Sequence, residues 1–504
     1  MNTNELLVIG IMTGNSLDGA DLTLTTFNLD RTILDIANHY ARYSDDLKEA
    51  FRRLRETVNK AEGDMLLAEK LYDEFYAEEK IPSFSLLMEQ YVDFLAFQVR
   101  ELIDKARDIQ KIAPEQKVDL IGLHGQTCAH MPPSMAISKN IEASYTVQVG
   151  DGQSLADKTG ITVVYDFRSD DLMNGGEGAP LAPLHHMNLA ECVKDKGYFP
   201  IAFFNGGNTG NISIVTSARG NLEMKVIGWD FGPFNHFPDL LMRQEKGLEC
   251  DFDGQYGFKG TVNLSLLRLL YEKAALTING ENFLLKSSPK SSDPRWYNSL
   301  QELLGKAPVD GKILSFEDRL RTAEYFSAYH SFLGLDFLPE DLMMPPHFAL
   351  CGGGWRNPVI KKHFIDLLMA SDLKNSPILP EHQERYDRLR VRFNSFSSPL
   401  ICEMSSFFGF CETAMEARIF ADAAFSRIIK RPFTLPITTG AKSPTVCGII
   451  AFPKGDQNLA TDTLKNFIEK FDSLSLINEP KIGYDPRWSR ASAGWMKRYA
   501  ATNI

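Results

Sequence analysis

Residues 6–27 read LLVIGIM, then TGNSLDG, then ADLTLTTF: a continuous apolar run, a turn rich in Gly, Asn and Asp, and an alternating run rich in Thr. That order predicts a β-hairpin with its glycines at the tip. Residues 201–215, IAFFNGGNTGNISIV, repeat the construction at the start of the second half of the chain. Two strand–glycine turn–strand hairpins, one opening each half, are what a duplicated phosphate-gripping fold displays.

Outward from the first hairpin, ILDIANHYARY offers a third strand, and residues 46–110 carry helix-spaced apolar positions. VDLIGLHG, YTVQVG and GITVVYDF read as further strands, with QSLADKTG helical between the last two. This alternation predicts α/β layering. A helix over 184–195 closes the first lobe. In the second, HFALCGGG reads as a strand ending in glycines and CETAMEARIFADAAFSRIIKR as a charged helix. Residues 374–400 look like an irregular charged insertion, and the polar tail from 454 is separate in character. The expected division is therefore an N-terminal lobe 1–195, a C-terminal lobe 196–453 and an extension 454–504.

The bulk numbers narrow the function. A chain of 504 residues is too long for one core. With 54 Lys+Arg against 65 Asp+Glu it carries a formal charge of −11 and shows no cationic stripe, so nucleic acid is not an expected partner. No run is long and apolar enough for a membrane span, and the N-terminus lacks the pattern of a secretory signal. A cytoplasmic protein is expected. The 7 cysteines are scattered without a C-x-x-C pair and read as reduced. Monomer and homodimer are equally compatible with the sequence.

The turn Gly14, Asn15, Ser16, Leu17 and Asp18 lies between strands, where backbone amides can approach a polyphosphate closely. Gly207 and Asn211 belong to the matching turn of the second half, and Gly352, Gly353 and Gly354 end a third strand. Each alone also fits an ordinary turn; together they point to a nucleotide. Asp230, in WDFGPFN, sits at a strand end before a Gly-Pro break and is suited to orient or deprotonate a nucleophile, although a turn-capping Asp would look the same. Arg168 and Asp171 follow the strand ITVVY and precede the glycine segment containing Gly178, Ala179 and Pro180. Arg168 suits a hydroxyl, carboxylate or phosphate. His124 ends VDLIGL in like manner, where a hydrogen-bonded structural role is the alternative.

These motifs, with GLHGQT, DFDGQYGFKGTVN, CGGGWRNP and TTGAKSPTVCGIIAFP, run in order from residue 9 to 453 and resemble the anhydro-N-acetylmuramic acid kinases. The resemblance implies a two-lobed ribonuclease-H-like ATPase fold with ATP in the interlobe cleft. It implies a reaction in which water opens a 1,6-anhydro sugar at C1 and the ATP γ-phosphoryl group passes to O6. By position, Asp230 becomes the base that activates water. Residues 14–18 and 205–211 become phosphate grips, and 352–354 the adenosine seat. Arg168, Asp171, His124, Gly178, Ala179 and Pro180 fall on the sugar side, and Asp230 and Glu416 are expected to reach Mg²⁺. Departures cluster near the sugar: Glu177, Asn208, Ala129, Met131 and the run Lys290 to Arg295 differ from the bacterial pattern. Alternatives are therefore a levoglucosan kinase and a catalytically silent ATP-binding scaffold.

Overall fold

The computed structural model describes residues 4–14, 17–30, 32–76, 81–138, 144–221, 223–273, 277–278, 281–292, 304–305, 308–396, 399–454, 461–476 and 485–492. It divides into two units, Met1–Cys192 with Thr413–Ile504, and Val193–Glu412.

In the first unit the expected hairpin forms from β1 (Glu5–Met12) and β2 (Gly19–Asn28), with Glu5 opposite Asn28 and Met12 opposite Asp21. β3 (Ile33–Arg42) pairs antiparallel with β2. On the other side of β1, β4 (Leu120–Leu123) and β7 (Thr162–Tyr165) are parallel neighbours in turn, and the strand Ile449–Ala451 closes that edge. β1 is central and buried on both faces, which is why it reads as an unbroken apolar run rather than an alternating one. β5 (Gln126–Met131) and β6 (Tyr145–Val149) stand apart as a two-stranded ribbon. YTVQVG is thus a strand, but not of the main sheet.

Gly10 of β1 and Gly122 of β4 are register neighbours, and the helix Met415–Ile428 lies against both. A Cβ on Gly10 would fall 1.9 Å from the Ala417 carbonyl oxygen, and one on Gly122 2.0 Å from that of Phe420. The helix seats only because two adjacent side chains are missing.

The second unit repeats the plan. β8 (Ile201–Gly206) and β9 (Thr209–Thr216) form the hairpin, and β10 (Lys225–Pro233) pairs antiparallel with β9. His347–Cys351 and then Ile401–Met404 add parallel to the other side of β8. Numbering the strands within each sheet, both show the order 3-2-1-4-5, antiparallel across 1-2-3 and parallel across 1-4-5. This is the ribonuclease-H-like topology, present twice. The helix Phe316–Gly334 is buried at every residue from Arg319 to Gly334, as expected of a helix surrounded by packing partners.

Three expectations are corrected. Residues 413–453 belong with the N-terminal unit, because their helix packs on β1, β2 and β4. Residues 374–400 are not irregular throughout: Gln383–Phe393 is a helix burying Tyr386, Leu389 and Phe393. The tail is not separate, since the helix Asp462–Phe471 buries Leu464, Phe467 and Ile468, and its capping Thr461 hydroxyl donates to Asp119. No helix among the described residues is long and apolar enough to cross a membrane.

Candidate active site

Asp230 lies in β10 opposite Asn211, immediately before a bulge that ends at Gly232. A bulge turns a strand and re-aims its side chains. The carboxylate is 8% exposed, and its Oδ2 accepts the Ser292 backbone N–H at 2.9 Å. The Asp230 N–H in turn donates to the Lys290 carbonyl at 3.2 Å. Lys290 anchors this contact from below: its buried Nζ donates to the Phe283 and Leu284 carbonyls at 3.1 and 3.3 Å. Burial drives its ammonium pKa well down, and the Arg385 charge acts the same way. The Lys290–Ser292 run is thus attached to Asp230; Asp293, Pro294 and Arg295 lie outside the described residues.

Beyond the bulge the chain folds back on the second hairpin. Phe234 and Asn235 donate their N–H groups to the carbonyls of Asn208 and Gly207 at 3.1 and 3.0 Å. The glycine cluster closes against the same place. Gly352 has φ +85°, and a Cβ there would stand 2.5 Å from Asn205 Oδ1; one on Gly354 would stand 2.1 Å from Asn235 Oδ1. A Cβ on Gly353 would meet nothing within 4 Å, so this glycine borders open space. Trp355 locks the assembly by donating Nε1–H to the Phe204 carbonyl at 3.0 Å, its ring centroid 4.6 Å from that of Phe234. The hairpin, the Asp230 segment and the glycine cluster, separated by up to about 150 residues, form one structure in this unit.

In the first unit the hairpin tip is braced by a residue that the sequence reading passed over. Gln126, in GLHGQT, donates Nε2–H to the Gly14 carbonyl at 2.6 Å and accepts the Tyr43 hydroxyl at 3.0 Å. The Tyr43 N–H holds the Asp18 carbonyl at 3.0 Å. Leu17 is buried with φ +57°, a left-handed conformation costing an ordinary side chain about 1–2 kcal/mol. Asn15 and Ser16 lie outside the described residues. Asp21, also unremarked in the sequence, has its pKa pushed up to about 7 by burial, then by the charges of Glu416 and Asp18. Glu416, at the start of its helix, therefore stands close enough to the hairpin for its charge to be felt.

The segment after β7 is also tightly held. Asp166 turns the chain with φ +60°, and Arg168 follows half-buried. Arg168 donates Nε–H to His124 Nε2 at 3.0 Å and Nη1–H to the Gly178 carbonyl at 2.7 Å. Burial and the adjacent Arg168 charge keep His124 well below the usual imidazole pKa, consistent with a neutral ring that accepts this bond. Gly178 has φ +70°, and Ala179–Pro180 is cis. Asp171 contacts the same turn through its side chain. It is fully buried, with Oδ2 accepting the Gly178 N–H at 2.8 Å and Oδ1 the Thr439 hydroxyl at 2.6 Å. It braces the loop that presents Gly178.

Among the described residues no group of three or more His, Cys, Asp or Glu side chains is arranged as a metal cage. A carboxylate pair is nonetheless what Mg²⁺ ordinarily takes from a protein when phosphates supply its other ligands.

The family model described as Anhydro-N-acetylmuramic acid kinase matches residues 6–380. The anhydro-N-acetylmuramic acid kinase of Methylorubrum populi is 29% identical over 455 residues, covering 88% of this chain and 98% of the relative. That of Haemophilus influenzae is 29% identical over 465 residues, covering 90% and 100%. Among solved structures, a ROK family glucokinase from Streptomyces griseus aligns with a TM-score of 0.31 and 10% identity, covering 83% of this chain and 99% of that one. The xylulose kinase of Lactobacillus acidophilus aligns with a TM-score of 0.32 and 8% identity, covering 94% and 99%. At such scores the fold assignment rests on the strand order of the two sheets, not on superposition. The family match spans most of the chain, and the protein is therefore a kinase that belongs to the anhydro-N-acetylmuramic acid kinase family.

Proposed function

We propose that the protein uses ATP to open a 1,6-anhydro sugar with water and phosphorylate it at O6. The observation that carries this reading is Asp230, set at a bulge of β10 with its carboxylate fixed by the Ser292 amide, in the unit that also joins the second hairpin to the glycine cluster. Asp230 takes a proton from water as the water oxygen bonds to C1. The C1–O6 bond breaks, and O6 takes the γ-phosphoryl group as its bond to ADP breaks. Because O6 is consumed by phosphorus as it leaves carbon, no second carboxylic acid is needed.

Arg168, His124 and the Gly178–Ala179–Pro180 turn are assigned to the sugar, with Asp171 bracing that turn from behind. The residue 14–18 tip, Gly207 and Asn211 are assigned to the phosphates, and Gly352 to Gly354 to adenosine; the open space beside Gly353 supports that seat. Asp230 and Glu416 are assigned to Mg²⁺, with Asp21 beside Glu416: its pKa is raised first by burial and then by the charges of Glu416 and Asp18, and a nearby cation would favour its ionised form. When bound, the ion would neutralise charge on the phosphoryl oxygens.

The test is ADP release with 1,6-anhydro-N-acetylmuramic acid and with levoglucosan. Release that depends on either sugar supports the proposal, and the higher kcat/KM names the substrate. ATP binding without sugar-dependent turnover on any anhydrosugar would replace it with an ATP-binding scaffold.

A further inference from the structure

Residues 485–492, DPRWSRAS, form a strap bonded along β6 and into the turn after β7. Gly150 donates its N–H to the Arg487 carbonyl, Ser489 to that of Gln148, and Thr146 to that of Ala491, each at 3.0 Å. Trp488 and Ser489 share a small cavity lining with His124, Gln148, Tyr165 and Asp166. The buried Arg490 sits at the inner end of the strap. It donates Nε–H to Asp166 Oδ2 at 2.7 Å, its backbone N–H to the same oxygen at 3.1 Å, and Nη2–H to Asp170 Oδ2 at 2.7 Å. The Ala491 N–H adds a bond to Ser169 Oγ, whose hydroxyl donates to Asp166 Oδ1 at 2.5 Å.

Asp166 and Asp170 flank Arg168, and Asp166 holds the left-handed φ of +60° that begins the turn. A conformation of that kind persists when its surroundings over-determine it. Here the over-determination comes from more than 300 residues away in sequence. The planar guanidinium bridges two carboxylates with separate nitrogens, a geometry that lysine cannot reproduce.

We infer that Arg490 is a positioning residue for the sugar: by pinning Asp166 and Asp170 it sets the turn that holds Arg168 against His124 and Gly178. The inference rests on the proposed assignment of Arg168 to the sugar.

The test uses the full chain with Arg490→Lys, which keeps a buried positive charge, and Asp166→Asn combined with Arg490→Met, which removes both charges together. Hydrogen exchange at amides 166–178, measured without any sugar, is expected to quicken about tenfold or more in both. The KM for the anhydrosugar is expected to rise about fivefold or more with the KM for ATP within about twofold. In an Arg168→Ala background, adding Arg490→Lys changes the sugar KM no further. Unchanged exchange at 166–178 in folded variants overturns the inference, as does a parallel loss in both KM values and kcat. If exchange quickens but Arg168→Ala leaves the sugar KM unaltered, the assignment of Arg168 fails, and the placement of Arg490 as a determinant of sugar affinity falls with it.

Discussion

The Cβ that Gly352 lacks would stand 2.5 Å from Asn205 Oδ1 and 2.9 Å from the Gly206 carbonyl oxygen. Two segments of the second unit, nearly 150 residues apart, meet there at a spacing only glycine permits, with φ at +85°. Gly352→Ala therefore combines strain of about 1–3 kcal/mol, from a backbone conformation essentially confined to glycine, with a displaced hairpin. The KM for ATP should rise about tenfold or more in a protein that still melts cooperatively, measured by coupled ADP release and calorimetry. Gly353→Ala, whose Cβ meets open space, should be tolerated by the fold; a loss of ATP affinity without loss of stability there would place the nucleotide against it.

Gly10→Ala tests the seat of the helix Met415–Ile428. Its methyl group would collide with the Ala417 carbonyl, a backbone atom that cannot rotate away. Destabilisation of about 1–3 kcal/mol is expected, read as a lower denaturation midpoint for the first unit. Wild-type stability would mean that the helix does not rest on β1 as described.

Asp21 makes stability depend on pH. Its pKa rises from 3.8 to about 7, so between those values the folded protein holds a proton that the unfolded chain has released. Its stabilising contribution is complete below about pH 4 and is lost as pH climbs through 7, at most roughly 4 kcal/mol. Asp21→Asn should match the parent at pH 4 and exceed its melting temperature at pH 8. Mg²⁺ with a nucleotide should raise the parent's melting temperature more at pH 8 than at pH 5, and raise it less in Glu416→Gln. A Glu416→Gln variant that responds to the metal like the parent would remove Glu416 from the metal site.

Much of this architecture was legible because it is local. Both hairpins announce themselves through an apolar run, a glycine turn and a second run, and β1 shows its central position by having no polar alternation. The glycines at 352–354 were visible as a cluster, but not their proximity to Asn205 and Asn235, which arises from tertiary packing. Asp21 drew no notice in the sequence, since only the fold brings Glu416 near it. The bond that Thr439, 268 residues away, donates to Asp171 was equally hidden in the sequence. The tail misled for the same reason: DPRWSRAS has strap character only against β6 and Asp166, neither of which is near it in sequence.

Asp230→Asn is the most direct test of the account, because it keeps the size of the side chain and an oxygen able to accept the Ser292 amide while removing the base. The account predicts turnover lower by about 10²–10⁴-fold on the best anhydrosugar, with ATP affinity within about twofold of the parent. Near wild-type turnover in a folded, ATP-binding Asp230→Asn protein would contradict it.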